Sequence, residues 1–290
     1  MNKKTSIPDC ELEDAWTEVV TKFPFKGYIQ SARKSGYFEM VRKVVKWSGR
    51  DAKVLDFGAG PCDKTALFAL IGMEVEAYDT LQDAWHQLDD NKEKLLTFAN
   101  SMGINYYLPN DENEYTFSNK QYDVLMLHDV IEHFHSSPRS TLNKLLMYVR
   151  PGRILAITVP NAANLRKRMH LLVGKTNYSR FDYYYWYPGI WRGHVREYVK
   201  NDLILLTKFL GLDLLELSTY HLQLDVLPAI ARRLFIIFSK VFPGTRDSWI
   251  LICRKPVDWK QRLEPNSDEF KYAFGNQYYD YSKANFDWEK

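Results

Sequence analysis

The chain has 290 residues, of which 46% are hydrophobic and 26% are charged, a composition typical of a globular protein with a substantial core. Thirty-nine Lys and Arg against 36 Asp and Glu give a net charge of +3, which is too small to indicate a nucleic-acid partner, and we expect none. The three cysteines have no zinc-site spacing, and we find neither a signal peptide nor about 18 consecutive apolar residues, so we expect a cytoplasmic protein.

The N-terminal region, residues 1–50, is helical in pattern from 10 to 48. We expect it to form a helical brace beside the main domain. The main domain is predicted to span residues 51–256, and a polar, aromatic tail follows at 257–290.

Short apolar runs and helical patterns alternate through the main domain, which is the signature of a parallel α/β sheet. The predicted strands lie at 52–57, 73–78, 104–108, 123–127, 154–159, 214–219 and 248–253. Helices are predicted at 64–70, 81–102, 141–148 and 202–210. Insertions at about 161–200 and 221–246 break this rhythm, and we expect them to form a lid.

A glycine-containing loop follows the first predicted strand, where parallel sheets bind ligands. Gly58 and Gly60 allow a sharp bend and a close approach of the backbone, and Asp79 follows the second strand, 19 residues past Gly60. A dinucleotide fingerprint would need glycine at position 63, but the residue is Asp63. An acidic group there would repel a pyrophosphate, whereas it tolerates the cationic cofactor S-adenosylmethionine.

Three motifs in order carry a family resemblance: VLDFGAG at 54–60, VEAYD at 75–79 and YDVLMLHDVIEH at 122–133. Over about residues 30–220 the chain resembles class I S-adenosylmethionine-dependent methyltransferases. It is most similar to the small-molecule branch that includes ubiquinone-biosynthesis and glycan-tailoring O-methyltransferases. The resemblance implies a Rossmann-like, seven-stranded, mostly parallel sheet with an antiparallel last strand, helices on both faces, an N-terminal brace and a substrate lid. Cys62 departs from the family, which often has a third glycine there.

The same resemblance implies the cofactor contacts. Gly58 and Gly60 would line the methionine part, Asp56 would lie near its amino group, and Asp79 would bind the ribose.

Three further residues complete that predicted set. Asp111 would meet the adenine amino group, although a simple turn in Pro109-Asn110-Asp111 explains it equally well. Leu127 and His128, at the end of the fourth strand, would face the cofactor.

A cluster of titratable residues follows the fourth strand. Asp129, Glu132 and His133 would share one face if a helix begins there, and such a set can help to deprotonate an acceptor, with Asp129 as a catalytic group, or hold a divalent metal ion. In ubiquinone O-methyltransferases a similar Glu-x-x-Glu-His motif is associated with a metal. We favour the alternative, in which Glu132 and His133 orient the loop by hydrogen bonding and no metal is required.

The segment WRGHVREY at 191–198 follows the fifth strand, where the family builds its acceptor lid. His194 carries an imidazole, the side chain most often used as a general base, and Arg196 could hold an anionic group. Tyr184, Trp186 and Trp191 belong to a dense aromatic run that suits a ring-shaped acceptor. The alternatives are surface pairing with Glu197 for the charged residues and lid packing for the aromatic ones.

These observations predict O-methylation of a small molecule such as a sugar or glycan precursor. One alternative is a quinone or polyprenyl-phenol O-methyltransferase at a membrane surface, because basic and apolar segments could give peripheral membrane contact or a lipid-linked acceptor. The other is a catalytically inactive binding protein with the same fold. The sequence leaves the acceptor and the oligomeric state open.

Overall fold

The architecture comes from a computed structural model, which describes residues 6–109, 117, 121–222, 224, 227–275, 281, 284 and 286. Its strands are β1 (Lys53–Phe57), β2 (Glu74–Tyr78), β3 (Asn105–Tyr107), β4 (Tyr122–His128), β5 (Val149–Pro160), β6 (Asp213–Tyr220) and β7 (Ser248–Arg254). The helices within the described ranges are α1 (Asp9–Lys22), α2 (Lys34–Ser48), α3 (Thr65–Leu70), α4 (Asn91–Ser101), α5 (Pro138–Leu146), α6 (Leu165–Leu172), α7 (Phe181–Tyr185), α8 (Lys200–Phe209), α9 (Ala229–Val241) and α10 (Ser267–Phe274).

The seven strands form one sheet in the order β3-β2-β1-β4-β5-β7-β6. The pairs from β3 to β5 are parallel, and β7 runs antiparallel to both of its neighbours. The predicted Rossmann-like α/β fold with an antiparallel last strand is therefore confirmed. The order reverses between β1 and β4, and the carboxyl ends of strands at such a reversal bound the usual ligand crevice.

Helices cover both faces of the sheet, so the central strands read as nearly continuous apolar runs. Every residue of β4 is buried, and its side chains alternate between two cores. Val124 and Met126 pack on the side of the N-terminal helices, and Leu125 and Leu127 pack on the side of α5 and α8.

The N-terminal helices contribute to the first core. Leu12 and Trp16 of α1 are buried there with Val41 of α2, and the Trp16 ring meets the Tyr37 ring edge-on at 5.6 Å. These contacts agree with a brace, while the predicted boundaries at residues 50 and 256 remain predictions.

Two predicted helices differ in extent from the observed ones. The stretch predicted as one helix over 81–102 contains a short 3-10 helix at Ala84–Gln87 and the α-helix α4. One continuous α-helix is not possible because Leu81 and Asp89 adopt positive φ angles of 48° and 47°. Helix α5 begins at Pro138, three residues earlier than predicted, since proline suits the first helical position and the Ser137 side chain caps it.

Candidate functional site

A cavity of about 490 Å³ lies at the carboxyl ends of β1, β2 and β4, a volume in the usual range for a small-molecule site. Its wall contains Asp56, Gly58, Gly60, Asp79 and His128. Five of the seven predicted cofactor residues therefore lie together around one cavity.

The loop after β1 depends on its glycines. Gly58 has a φ of 77°, and a Cβ built there would lie 2.6 Å from Cγ2 of Val130. Gly60 has a φ of 50°, with no described atom within 4 Å of such a Cβ. Position 58 thus requires glycine for both conformation and space, whereas position 60 requires it for conformation alone.

Asp79 fastens this loop to the end of β2. Its Oδ2 accepts a hydrogen bond from the Gly60 amide at 2.9 Å, and its Oδ1 accepts one from the Leu81 amide at 2.7 Å. Each carboxylate oxygen has further acceptor capacity, so Asp79 can also accept hydrogen bonds from ligand hydroxyls.

Asp56 lies deeper, at the floor of the cavity, and is 1% exposed. Thr65 donates to its Oδ2 at 2.6 Å, while Oδ1 has no hydrogen-bond partner among the described residues. Burial raises the pKa of the Asp56 carboxyl to about 7. A buried carboxylate oxygen without a partner is costly, and a ligand ammonium group would satisfy it.

Asp129 does not join Glu132 and His133, as the predicted helix face required. The chain turns after β4, where Asp129 has a φ of 57°, and its Oδ2 lies 2.5 Å from Nζ of Lys64. Burial alone would raise the pKa of Asp129, but the Lys64 ammonium outweighs it and the net pKa is lowered. Asp129 lines the cavity as half of an ion pair.

His128 is buried at the end of β4, next to the Phe68 ring, which is stacked on it at 5.9 Å. Burial, with the nearby charge of Lys64, lowers the pKa of His128 to about 3. The imidazole is therefore neutral at physiological pH.

The structure brings His194 to Glu132 and His133. Glu132 is fully buried, and neither carboxylate oxygen has a hydrogen-bond partner in the described part of the chain. Nε2 of His194 lies 4.0 Å from Oε1 of Glu132, and the two imidazole rings are 5.0 Å apart. One ligand atom from each of the three residues lies within 4.8 Å of the others, so this set can hold a metal ion and Asp129 is not part of it.

The two histidines differ in orientation toward the cavity. His133 lines it, with Nδ1 at 2.8 Å from the Arg192 carbonyl oxygen. His194 is not among the lining residues, and its Nδ1 contacts Oε1 of Glu197 at 2.9 Å. Burial and the neighbouring His194 both lower the pKa of His133.

Backbone hydrogen bonds join the segment at 191–198, which was predicted to belong to a lid, to this cluster. The amides of Val195 and Arg196 both donate to the Glu132 carbonyl oxygen, at 2.7 and 3.1 Å, and the Tyr198 hydroxyl donates to the Ile131 carbonyl oxygen at 3.3 Å. Spacing along the chain could not have predicted this contact, since it joins segments more than sixty residues apart.

The predicted substrate residues lie on the outside of the lid. Tyr184 and Trp186 are 56% and 78% exposed, and the Tyr184 ring meets the half-buried Trp191 ring edge-on at 5.2 Å. The Arg196 guanidinium lies 3.5 Å from a carboxylate oxygen of Asp202. None of these four residues lines the cavity.

Leu127 and Asp111 are the remaining two predicted cofactor residues. Leu127 is fully buried in the core between β4 and α5. Asp111 lies outside the described residues.

Several cavity residues were not predicted. The N-terminal region contributes Tyr28, Arg33 and Tyr37 to the wall, and Arg192 enters from the lid. Their neighbours in the sequence give no signal for this role. Lys64, the partner of Asp129, also lines the cavity. Its position just after the glycine loop was the one sequence feature that could have indicated this.

A family model described as a methyltransferase domain matches residues 29–217. Among solved structures, the PH0226 protein of Pyrococcus horikoshii is 16% identical with a TM-score of 0.52, covering 82% of this chain and 98% of its own. A SAM-dependent methyltransferase of Methanosarcina mazei is 12% identical at TM-score 0.50, covering 74% and 98%. The [4+2]-cyclase SpnF is 12% identical at TM-score 0.50, covering 85% and 94%. A search of curated proteins found no match.

Proposed function

We propose that this chain, which belongs to the methyltransferase domain family, methylates a hydroxyl group. The proposed acceptor is a small ring-containing molecule such as a sugar or glycan precursor. The protein is an S-adenosylmethionine-dependent methyltransferase of the class I type. The acceptor class and the oxygen as methylated atom are the proposal.

The observation that carries the cofactor assignment is the buried Oδ1 of Asp56, which lacks a hydrogen-bond partner among the described residues while lining the cavity. S-adenosylmethionine supplies an activated methyl group and carries an ammonium group that fits this oxygen. Gly58 and Gly60 keep the loop free of side chains, and Asp79 offers its carboxylate to ribose hydroxyls. The existing residues therefore fit this cofactor.

An aliphatic hydroxyl must lose its proton as its oxygen accepts the methyl group, so a base is needed. We assign the role of proton acceptor to His133, with His194 as the residue that positions it. Nδ1 of His133 donates to the Arg192 carbonyl oxygen, which leaves Nε2 as the proton acceptor on the imidazole that lines the cavity. His194 lies behind it, between the carboxylates of Glu132 and Glu197, and positions His133.

The aromatic side chains of the predicted lid support the proposal of a ring-shaped acceptor. Aromatic faces with polar edges stack well on sugar rings. The exposed Tyr184 ring meets the Trp191 ring, and the Trp186 ring is exposed to solvent. In this proposal the exposed guanidinium of Arg196 would bind an anionic group of the acceptor.

The decisive experiment is calorimetric titration with S-adenosylmethionine and S-adenosylhomocysteine, followed by an acceptor screen with sugars and phenols. We expect micromolar binding that Asp79→Ala weakens by about tenfold or more, since two charge-assisted hydrogen bonds are lost. A folded wild-type protein that binds neither compound would favour the inactive binding protein. Methylation of phenols but not sugars would favour the quinone alternative.

The proton-acceptor assignment has its own test. His133→Ala and His194→Ala should each lower turnover by about a hundredfold at unchanged cofactor affinity, the lower end of the usual range for general bases. His194→Gln should recover part of the rate if His194 positions His133. Equal turnover of His194→Ala and wild type would remove His194 from the mechanism.

A metal ion at Glu132, His133 and His194 is the alternative use of the same cluster. Dialysis against EDTA separates the two. Full activity without metal supports the base, and activity restored only by Mg²⁺, Mn²⁺ or Zn²⁺ contradicts it.

A further inference from the structure

Helix α9 exposes an apolar stripe to solvent. Its residues Ile230, Leu234, Ile237 and Val241 are 77%, 64%, 63% and 69% exposed. The spacing of four, three and four places them on one narrow face of a helix. An isolated exposed leucine or isoleucine is ordinary, but an aligned set of four is not.

The opposite face of α9 is the one that packs on the protein. Ser239 lies there, only 1% exposed, and its hydroxyl is 2.8 Å from Nε2 of His221. The helix thus buries a serine and exposes Ile230 and Ile237, the reverse of a helix whose apolar face serves the core of its own domain. The apolar stripe is available for another surface.

The charges around the stripe have one sign. From Leu227 to Arg246 the chain contains four arginines and lysines and no aspartate or glutamate. Arg233 and Lys240 are exposed and lie along one side of the apolar stripe. This combination of an apolar face and flanking cations fits an anionic lipid surface.

A second copy of the chain is a poorer occupant. In a two-fold symmetric pairing through α9, Arg233 and Lys240 of both copies would be brought close together, and like charges oppose such an interface. Crossing of the bilayer is excluded for α9, since 13 residues extend about 20 Å against a hydrocarbon core of about 30 Å. None of the described helices is long and apolar enough to span a membrane.

Helix α9 is also anchored near the cavity edge of the sheet. The Asn161 side chain, just after β5, donates to the carbonyl oxygens of Gly244 and Arg246 at 2.9 and 2.8 Å. This ties the segment after α9 to the carboxyl end of β5, the same edge at which the cavity lies. A lipid surface on α9 would therefore lie at the same edge of the sheet as the cavity.

We propose that α9 docks the protein onto anionic membranes through Ile230, Leu234, Ile237 and Val241, with Arg233 and Lys240 contacting lipid headgroups. This inference concerns a surface outside the cavity and stands independently of the acceptor proposed above.

Vesicle flotation of the full chain tests it, with phosphatidylcholine alone and with 30% phosphatidylglycerol by design. We expect wild type to float with the anionic vesicles, and the double variant Leu234→Asp/Ile237→Asp to lower its partition coefficient by about tenfold or more. Arg233→Glu/Lys240→Glu should weaken flotation and reduce its salt dependence. Met147→Asp is the matched control, because Met147 is 61% exposed and lies at the opposite edge of the sheet.

Unchanged S-adenosylhomocysteine affinity of each variant shows that it is folded. Wild type that stays at the bottom with both vesicles overturns the proposal, as does a double variant that floats like wild type. Light scattering that shows a dimer abolished by the double variant, with no flotation of wild type, would also overturn it in favour of a second copy.

Discussion

The wall of the cavity after β1 and the aromatic lid differ in how tightly their residues are determined. At the wall, Gly58 has a positive φ and leaves no room for a Cβ beside Val130, and Asp56 is only 1% exposed. On the lid, Tyr184 and Trp186 are mostly in solvent. A substitution at the wall changes the packing or the charge of the folded protein, whereas a substitution at an exposed lid residue changes only contacts with a bound molecule. The cavity wall therefore tolerates few substitutions, and the exposed part of the predicted lid tolerates more.

The largest effect should come from Gly58→Ala. The added methyl group would clash with Val130, and the φ of 77° at this position is unfavourable for alanine. We therefore expect a loss of about 3 kcal/mol in stability and no measurable cofactor binding. Gly60→Ala, with strain but no clash, should cost about 1 kcal/mol. Urea unfolding and calorimetry measure both. Equal losses at the two positions would contradict the role of Val130, and Gly58→Ala/Val130→Ala should recover part of the loss.

Breaking the ion pair of Lys64 and Asp129 should have the next largest effect. Lys64→Met leaves the partly buried Asp129 carboxylate unpaired, and we expect the free energy of unfolding to fall by about 2 kcal/mol. Lys53→Met is the matched control, since Lys53 pairs with Glu74 at the surface and should cost less than about 0.5 kcal/mol. A lower urea midpoint for the control than for Lys64→Met would refute this ranking.

Cofactor affinity should depend on pH through Asp56. With a pKa of about 7, the ionised fraction falls from about one half at pH 7 to about one tenth at pH 6, so affinity should fall about fivefold by calorimetry. In the free protein the sign is opposite. The folded pKa is raised above the ordinary value, so the stabilising contribution of Asp56 is present at acid pH and is lost as pH rises toward 7.

Asp56→Asn is the control for both measurements. It should bind the cofactor weakly with a flat profile from pH 7 to pH 6, and it should remove part of the stability loss above pH 4. A wild-type affinity that stays constant over this interval would show that Asp56 does not hold the ammonium group.

The smallest effect should come from Trp186→Ala on the lid. The exposed ring makes little contribution to the fold, so stability should change by less than about 0.5 kcal/mol, and cofactor affinity should be unchanged. The KM for the acceptor should rise while kcat changes less. Tyr272→Ala, at a similarly exposed ring on α10, should leave stability, cofactor affinity, KM and kcat unchanged. An unaltered KM in Trp186→Ala would show that this ring does not bind the acceptor.

The same contrast decides how much the sequence could predict. The positions of the strands, the bend at Gly58 and the place of Asp79 after the second strand follow from local patterns of apolar residues and glycine. The seven-stranded sheet was implied only by the family resemblance. The partner of Asp129 did not follow, since the predicted helix is a single turn of 3-10 geometry at Ile131–His133 and Lys64 approaches from another segment. The approach of His194 to Glu132 likewise arises from backbone hydrogen bonds across the fold.

Tyr28 and Tyr37 show the same limit from the other direction. Their region was predicted as a brace, and nothing in its pattern distinguishes a helix that covers the sheet from one that also forms a wall of the cavity.

That shared role ties ligand binding to the folding of the first helix. Tyr37 lines the cavity and packs on Trp16 of α1, and its hydroxyl lies 2.5 Å from Asp63 at the loop. A ligand that holds this wall in place must raise the free energy of every opening in which α1 detaches. Amide hydrogens of α1 should therefore exchange more slowly in the complex, although they lie outside the cavity.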